Sequence, residues 1–474
     1  MVFNSITFLI FFIAFYLIYW FLNNKSTIRK RNIFVLLASY FFYGYWDWRF
    51  LSLIFISSLV DYILGLKIST APNSSKRKLY LTGSIIANMG ILGFFKYFNF
   101  FIESLQQALS LFAIELQTST LQIILPVGIS FYTFQTLSYT IDIYRGKMEP
   151  TRDFVKFFAF VSFFPQLVAG PIERASNLMQ QFENRKVFDN NNQVIGLRHV
   201  LYGLFKKVVI ADNLGLIADS IFDPGLSHNG LTVFLGSMIF GVQIYCDFSG
   251  YSDMAIGLAK MLNIDLMKNF NTPYYSGSFT EFWRRWHISL STWFRDYVYI
   301  PLGGNKCSTA RVNFNIMLTF LLSGLWHGAR ITFLIWGALH GLMLLIEKNF
   351  PSRISKKIAA PLVFVLTSLF WIPFRAQSFV HLKSLVISLF SFGYSWSEIF
   401  NIVLTVHSTS KVYALGLILL LFILIERIIA ANDFNHWIKN KSTAVRYLAY
   451  YSLFISVLLL GNINIDPFFI YFQF

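Results

Sequence analysis

Apolar runs of about twenty residues recur along this chain with short polar breaks between them, beginning with Phe3 to Leu22. A helix of that length rises 1.5 Å per residue and spans the roughly 30 Å hydrocarbon core of a bilayer. The chain therefore reads as an all-α, polytopic integral membrane protein, with residues 1–474 as one membrane domain. Charged residues make up only 13% of it, against about 25% in a soluble domain. Its 54 Phe and 24 Tyr suit a protein with two membrane interfaces to anchor. No basic stretch precedes the first run and no small-residue cleavage site follows it, so it reads as a first span rather than a signal peptide.

The formal charge of +16 suggests nucleic acid at first sight. The basic residues sit in short loops between apolar runs, however, which is the pattern of positive-inside topology and of contact with anionic lipid. Cys246 and Cys307 show neither a disulfide framework nor a CxxC spacing, and no histidine pair has metal-site spacing. No metal, permanent cofactor or nucleic acid is expected.

Lys25, Arg29, Lys30 and Arg31 follow the first span and place that loop in the cytoplasm. Ile33 to Leu66 is too long for one span and predicts a hairpin turning near Trp46–Arg49, with Lys67, Lys76, Arg77 and Lys78 again cytoplasmic. Leu79 to Phe101 and Leu121 to Tyr144 continue the alternation. Further spans are expected near 231–258, 313–329, 331–348, 359–374, 412–430 and 447–463, about eleven in all. Phe154 to Ile172 carries Pro165, Gly170 and Pro171, which predicts a re-entrant or half-buried segment. Leu197 to Phe222 holds Arg198, Lys206, Lys207 and Asp212, too many charges to face lipid. Asp247, Ser249 and Asp253 interrupt another apolar run and suit either a cavity wall or interhelical hydrogen bonds. No internal repeat is evident.

Two histidine segments stand out. On a helix, "FWRRWHISLSTWFRDY" (Phe282 to Tyr297) gathers its aromatic residues on one arc, with His287 at the seam and Arg284 and Arg295 beyond it. That predicts an interfacial amphipathic helix, and a membrane-surface helix with an incidental histidine would read the same way. In "LLSGLWHGAR" (Leu321 to Arg330), His327 lies inside an apolar stretch among Gly324, Gly328 and Ala329. An ionisable group at such depth faces a bundle interior or cavity, as a reactive group or as a hydrogen bond between helices. His340, in "ALHG", ranks third.

The stretch Glu281–Asn305 followed by "SGLWHG" (Ser323–Gly328) resembles the membrane-bound O-acyltransferase family, in its bacterial alginate O-acetylase branch. Leu125–Gly146, Phe163–Arg174, Tyr245–Ala259 and "FIYFQF" (Phe469–Phe474) carry the resemblance through most of the chain. It implies a ring of helices around a tunnel in the bacterial inner membrane. The family's near-invariant histidine maps onto His327 and its second active-site polar residue onto His287; His327 is expected to act as the catalytic base, with a covalent acetyl-histidine as the alternative. The implied donor is acetyl-CoA, used as substrate, with its phosphates met by Arg284, Arg285 and Arg295. The implied acceptor is alginate or a similar secreted or cell-surface polysaccharide, reached directly or through a periplasmic polysaccharide acetyltransferase partner. Two rivals are D-alanyl transfer to teichoic acid, which shares both histidine segments, and a polysaccharide transporter, which would show the inverted repeats missing here. A purely structural partner subunit is the third.

Overall fold

A computed structural model describes residues 1–110, 112, 121, 123–350, 354–391, 395–430 and 434–462, which leaves Phe469–Phe474 outside the described residues. Every regular element among them is a helix. The chain divides into two compact units, Met1–Gln193 with Leu258–Met267, and Val194–Gly257 with Lys268–Phe474.

The first unit is built on long helices with side-chain caps. Ser5, Thr27 and Asn73 each accept from a backbone N–H in the opening turn of Ile6–Lys25, Ile28–Asp47 and Ser74–Leu92. The expected hairpin is present. Ile28–Asp47 and Leu51–Thr70 are joined by a short turn at Trp48–Phe50, where Asp47 pairs with Arg49. Inside this unit Asp61 accepts hydrogen bonds from Ser84 at 2.6 Å and Asn88 at 2.7 Å, so a deep carboxylate is satisfied without a cation. The segment carrying Pro165 breaks into Phe154–Ser162 and Phe164–Leu167 at Phe163, and from Phe157 onward it is buried in protein. That fits a broken backbone that lipid could not tolerate.

The charges between Leu197 and Phe222 are resolved by pairing in the second unit. Lys206 lies 2.5 Å from Asp253 and donates to Ser249, while Lys207 lies 2.8 Å from Asp212 and 2.7 Å from Asp247. Asp247, Ser249 and Asp253 are therefore interhelical partners.

Eight helical runs among the described residues are long and apolar enough to cross a bilayer, with the Ile28–Thr70 hairpin counted as one run. Two expected spans fall outside that set. Ile129–Tyr144 has 16 residues and is buried along most of its length, and Thr309–His327 opens on the polar "TARVNFN".

Thr309–His327 and Ile331–Asn349 form the tightest helix pair in the second unit. A Cβ on Gly324 would run into the Phe333 carbonyl oxygen, and one on Gly337 into the Phe320 carbonyl oxygen. The two backbones therefore touch, as small residues allow. This contact sets His327 beside Trp336. Gly337→Ala should cost about 1–3 kcal/mol through overpacking. Thermal unfolding in detergent should show a lower midpoint than Gly416→Ala, where an added Cβ meets nothing within 4 Å.

Candidate active site

The segment expected to be one amphipathic helix is two. Phe279–Arg285 is capped by Ser278 and ends at Trp286, which is extended. His287 then takes the left-handed conformation (φ 42°, ψ 55°), and Ile288–Phe294 begins. The break comes from a neighbouring stretch that competes for the backbone. Ile288 N–H donates to the Asn269 carbonyl at 2.8 Å, and Asn271 N–H to the Arg285 carbonyl at 2.9 Å. The aromatic arc faces protein, with Phe282, Trp283, Trp286, Trp293 and Phe294 all buried.

Asn269 also fixes the chemistry of His287. Its Oδ1 receives the Ser289 backbone N–H at 3.3 Å and the Ser289 hydroxyl at 2.9 Å. A backbone N–H only donates, so this atom is the amide oxygen. His287 Nδ1, 3.0 Å from the same oxygen, must therefore donate to it. The neutral ring then carries its lone pair on Nε2. Its helix is not among the apolar runs that could span a bilayer, and complete burial pushes its pKa down to about 3.

His327 closes Thr309–His327 inside an aromatic chamber. Trp326, Trp336 and Phe374 lie 5.0, 4.9 and 5.3 Å from its ring, centroid to centroid, each edge-on. Trp326 also faces His287 at 6.0 Å, so the two sequence-nominated histidines flank one indole. His340 belongs to the same chamber, 5.0 Å from Trp336, and its Nδ1 accepts from Trp283 Nε1 at 3.3 Å. Sequence reasoning missed Asn269 and Trp336. Asn269 is 18 residues before His287, and no periodic pattern marks it. Trp336 could have been found from "WGALHG", which puts it one turn before His340.

A half-open cavity of about 470 Å³ lies beside these rings, lined by Arg284, Arg295, Ser291, Thr292, Thr319 and Ser323 among others. Neither histidine lines it, but Ile288 follows His287 and Ser323 is one turn before His327. The three arginines separate. Arg284 and Arg295 line the cavity, and Arg295 Nε also donates to Asp296 at 2.8 Å. Arg285 is tied 2.8 Å from Glu281, which also holds Lys356.

Residues 150–360 match the model of the membrane-bound O-acyltransferase family. The chain is 44% identical over 398 residues to the probable alginate O-acetylase AlgI of Azotobacter vinelandii, covering 83% of this chain and 79% of the relative. It is 43% identical over 400 residues to the protein of the same name from Pseudomonas aeruginosa, covering 83% and 75%. It is 40% identical over 381 residues to the peptidoglycan O-acetyltransferase of Helicobacter pylori, covering 73% and 71%.

The depressed pKa of His287 makes stability depend on acid. Below about 6.5 the unfolded chain binds a proton there that the folded chain refuses until about 3. Stability is thus lost as pH falls through that window, by about 1.4 kcal/mol per pH unit, and is unaffected by this group above it. Lowering the pH from 7 to 5 should depress the melting midpoint of the wild type more than that of His287→Asn, which suits the left-handed backbone. The two slopes should coincide above pH 7.

Proposed function

The chain belongs to the membrane-bound O-acyltransferase family and is a multi-pass membrane O-acyltransferase, and on that premise we propose that it takes acetyl groups from acetyl-CoA for O-acetylation of a secreted or cell-surface polysaccharide. The proposed setting is the bacterial inner membrane, with the donor cytoplasmic and the acceptor, a polysaccharide or a periplasmic transferase, on the far side. The relatives named for O-acetylation of alginate and of peptidoglycan support the acetyl group and the glycan class. The observation that carries the reading is His327, buried within the matched region with three aromatic rings around it.

In this reading His327 removes the proton from the acceptor hydroxyl as that oxygen attacks the thioester carbon. An imidazole is the side chain best matched to that work near neutral pH. His287 holds the donor through Nε2. Its Nδ1–H is committed to Asn269, which supports an accepting role and argues against its acting as the first acid on the leaving thiolate. His327, once protonated, returns that proton to the sulfur. Arg284 and Arg295 meet the phosphates of the donor at the cavity, and Arg285 serves the Glu281–Lys356 ion cluster.

Two measurements test this. Inverted membrane vesicles supplied with labelled acetyl-CoA should move label to lumenal carbohydrate or protein, and His327→Ala should cut the rate by about 10²–10⁴-fold at equal protein level. Equal rates would remove His327 from the chemistry, and no transfer by the wild type except from a D-alanyl carrier would select the teichoic acid reaction. Separately, Arg284→Ala with Arg295→Ala should raise KM for acetyl-CoA about 30-fold, each lost phosphate contact being worth about a kcal/mol, while Arg285→Ala should lower the melting midpoint and change KM by less than about threefold.

A further inference from the structure

We propose that Trp336 Nε1–H and His340 Nε2–H together form the site for the acyl carbonyl oxygen, an oxyanion site one helical turn long beside His327. This deepens the reading of His327 as the base and rests on it.

Both side chains are fully buried, and neither N–H meets an acceptor among the described residues. A buried donor without a partner costs about 1–3 kcal/mol, and folded proteins keep few of them. Trp20 Nε1 and Tyr40 Oη are likewise buried without a partner among the described residues, but Trp336 and His340 stand at positions i and i+4 of Ile331–Asn349, on one face of the helix. The Trp336 ring stands between the others, 4.9 Å from His327 and 5.0 Å from His340.

The state of His340 follows from its other nitrogen. Trp283 Nε1–H can only donate, and it points at His340 Nδ1. That nitrogen must carry a lone pair, so the ring is neutral and its proton is on Nε2. A charged ring would set N–H against N–H. Phe282 stacks on the imidazole at 6.1 Å with 7° between planes, and Trp283 lies edge-on at 5.0 Å, so the ring keeps this orientation. His381 shows the same pattern, with Nδ1 engaged by the Gln377 N–H and Nε2 without a partner among the described residues, so what distinguishes His340 and Trp336 is their place on one helix face beside His327. A fixed neutral N–H in a buried aromatic chamber is the kind of donor that stabilises developing oxyanion charge without reorganising.

The acceptor oxygen forms a bond to the thioester carbon, and the C=O π pair moves onto the carbonyl oxygen, held by the two N–H groups. The hydroxyl proton passes to His327. Collapse restores C=O and breaks C–S, and His327 returns its proton to the thiolate. An alcohol and an acyl thioester become an ester and a thiol, with no other reactant.

The test is steady-state kinetics of purified Trp336→Phe, His340→Phe and His340→Gln with acetyl-CoA, each checked by melting midpoint. Trp336→Phe and His340→Phe keep the aromatic packing and remove one donor. Each should lower kcat about 10²-fold, with KM for acetyl-CoA changed less than about threefold. His340→Gln, which restores an N–H, should recover at least part of the loss. Wild-type kcat in both Phe variants, a loss carried entirely by KM, or no recovery by Gln would overturn the proposal. Acetonyl-CoA labelled with ¹³C at the ketone reads the wild type without any substitution. Its carbonyl resonance should move downfield on binding, and an unmoved resonance would overturn the proposal. His327→Ala run in parallel separates the two readings. If it is active, the base assignment falls; if it is dead while both Phe variants run at the wild-type rate, only the oxyanion site falls.

Discussion

Two helix backbones touch where Gly324 meets Gly337, and the aromatic chamber depends on that touch. Neither glycine is needed for an unusual torsion angle. Each is needed because the carbonyl oxygen of the facing helix occupies the space where a Cβ would stand. With the axes that close, His327 at the end of one helix and Trp336 in the first turns of the other come within ring contact. Trp371 and Phe374, from Lys356–Arg375, then complete the enclosure. The lining is almost wholly aromatic, which gives a large apolar area with few rotatable bonds. Such walls hold their shape without paying much side-chain entropy on assembly.

The polar groups of the second unit follow a different rule. Lys206 and Lys207 are buried, and each is held by at least one carboxylate at ion-pair distance. Glu426 receives the hydroxyls of Tyr202 and Tyr245, both at 2.6 Å. Tyr245 in turn packs 6.2 Å from Trp286, the residue before His287. A single lost partner here would strand a charge in a medium that cannot solvate it. The network is thus a condition for the aromatic wall above it.

Much of this was legible in the sequence, for identifiable reasons. Apolar runs of bilayer length announced the long helices, and the 28–70 hairpin turned at the Trp–Asp–Trp–Arg step because an excess of length leaves no other solution. His327 could be nominated because an ionisable residue inside an apolar run has few innocent explanations. The break at His287 could not be read. The periodicity of Phe282–Tyr297 favours one continuous helix, and what overrides it is the main chain at Asn269–Asn271, which claims donors and acceptors a helix would have used internally. Likewise, the separate placement of Arg284, Arg285 and Arg295 follows from Glu281, Asp296 and Lys356, and Lys356 is far away in the sequence. Local pattern reports local preference; these are tertiary competitions.

Only Gly328, Ala329 and Arg330 join the helix that ends at His327 to the one that carries Trp336 and His340. Successive residues of a helix point about 100° apart. One residue gained or lost between Trp336 and His340 would swing the imidazole about 100° off the indole's face while leaving composition, hydropathy and length almost untouched. The number of residues between 327 and 340 thus fixes the direction of these two rings in a way that the identity of a neighbouring apolar residue does not.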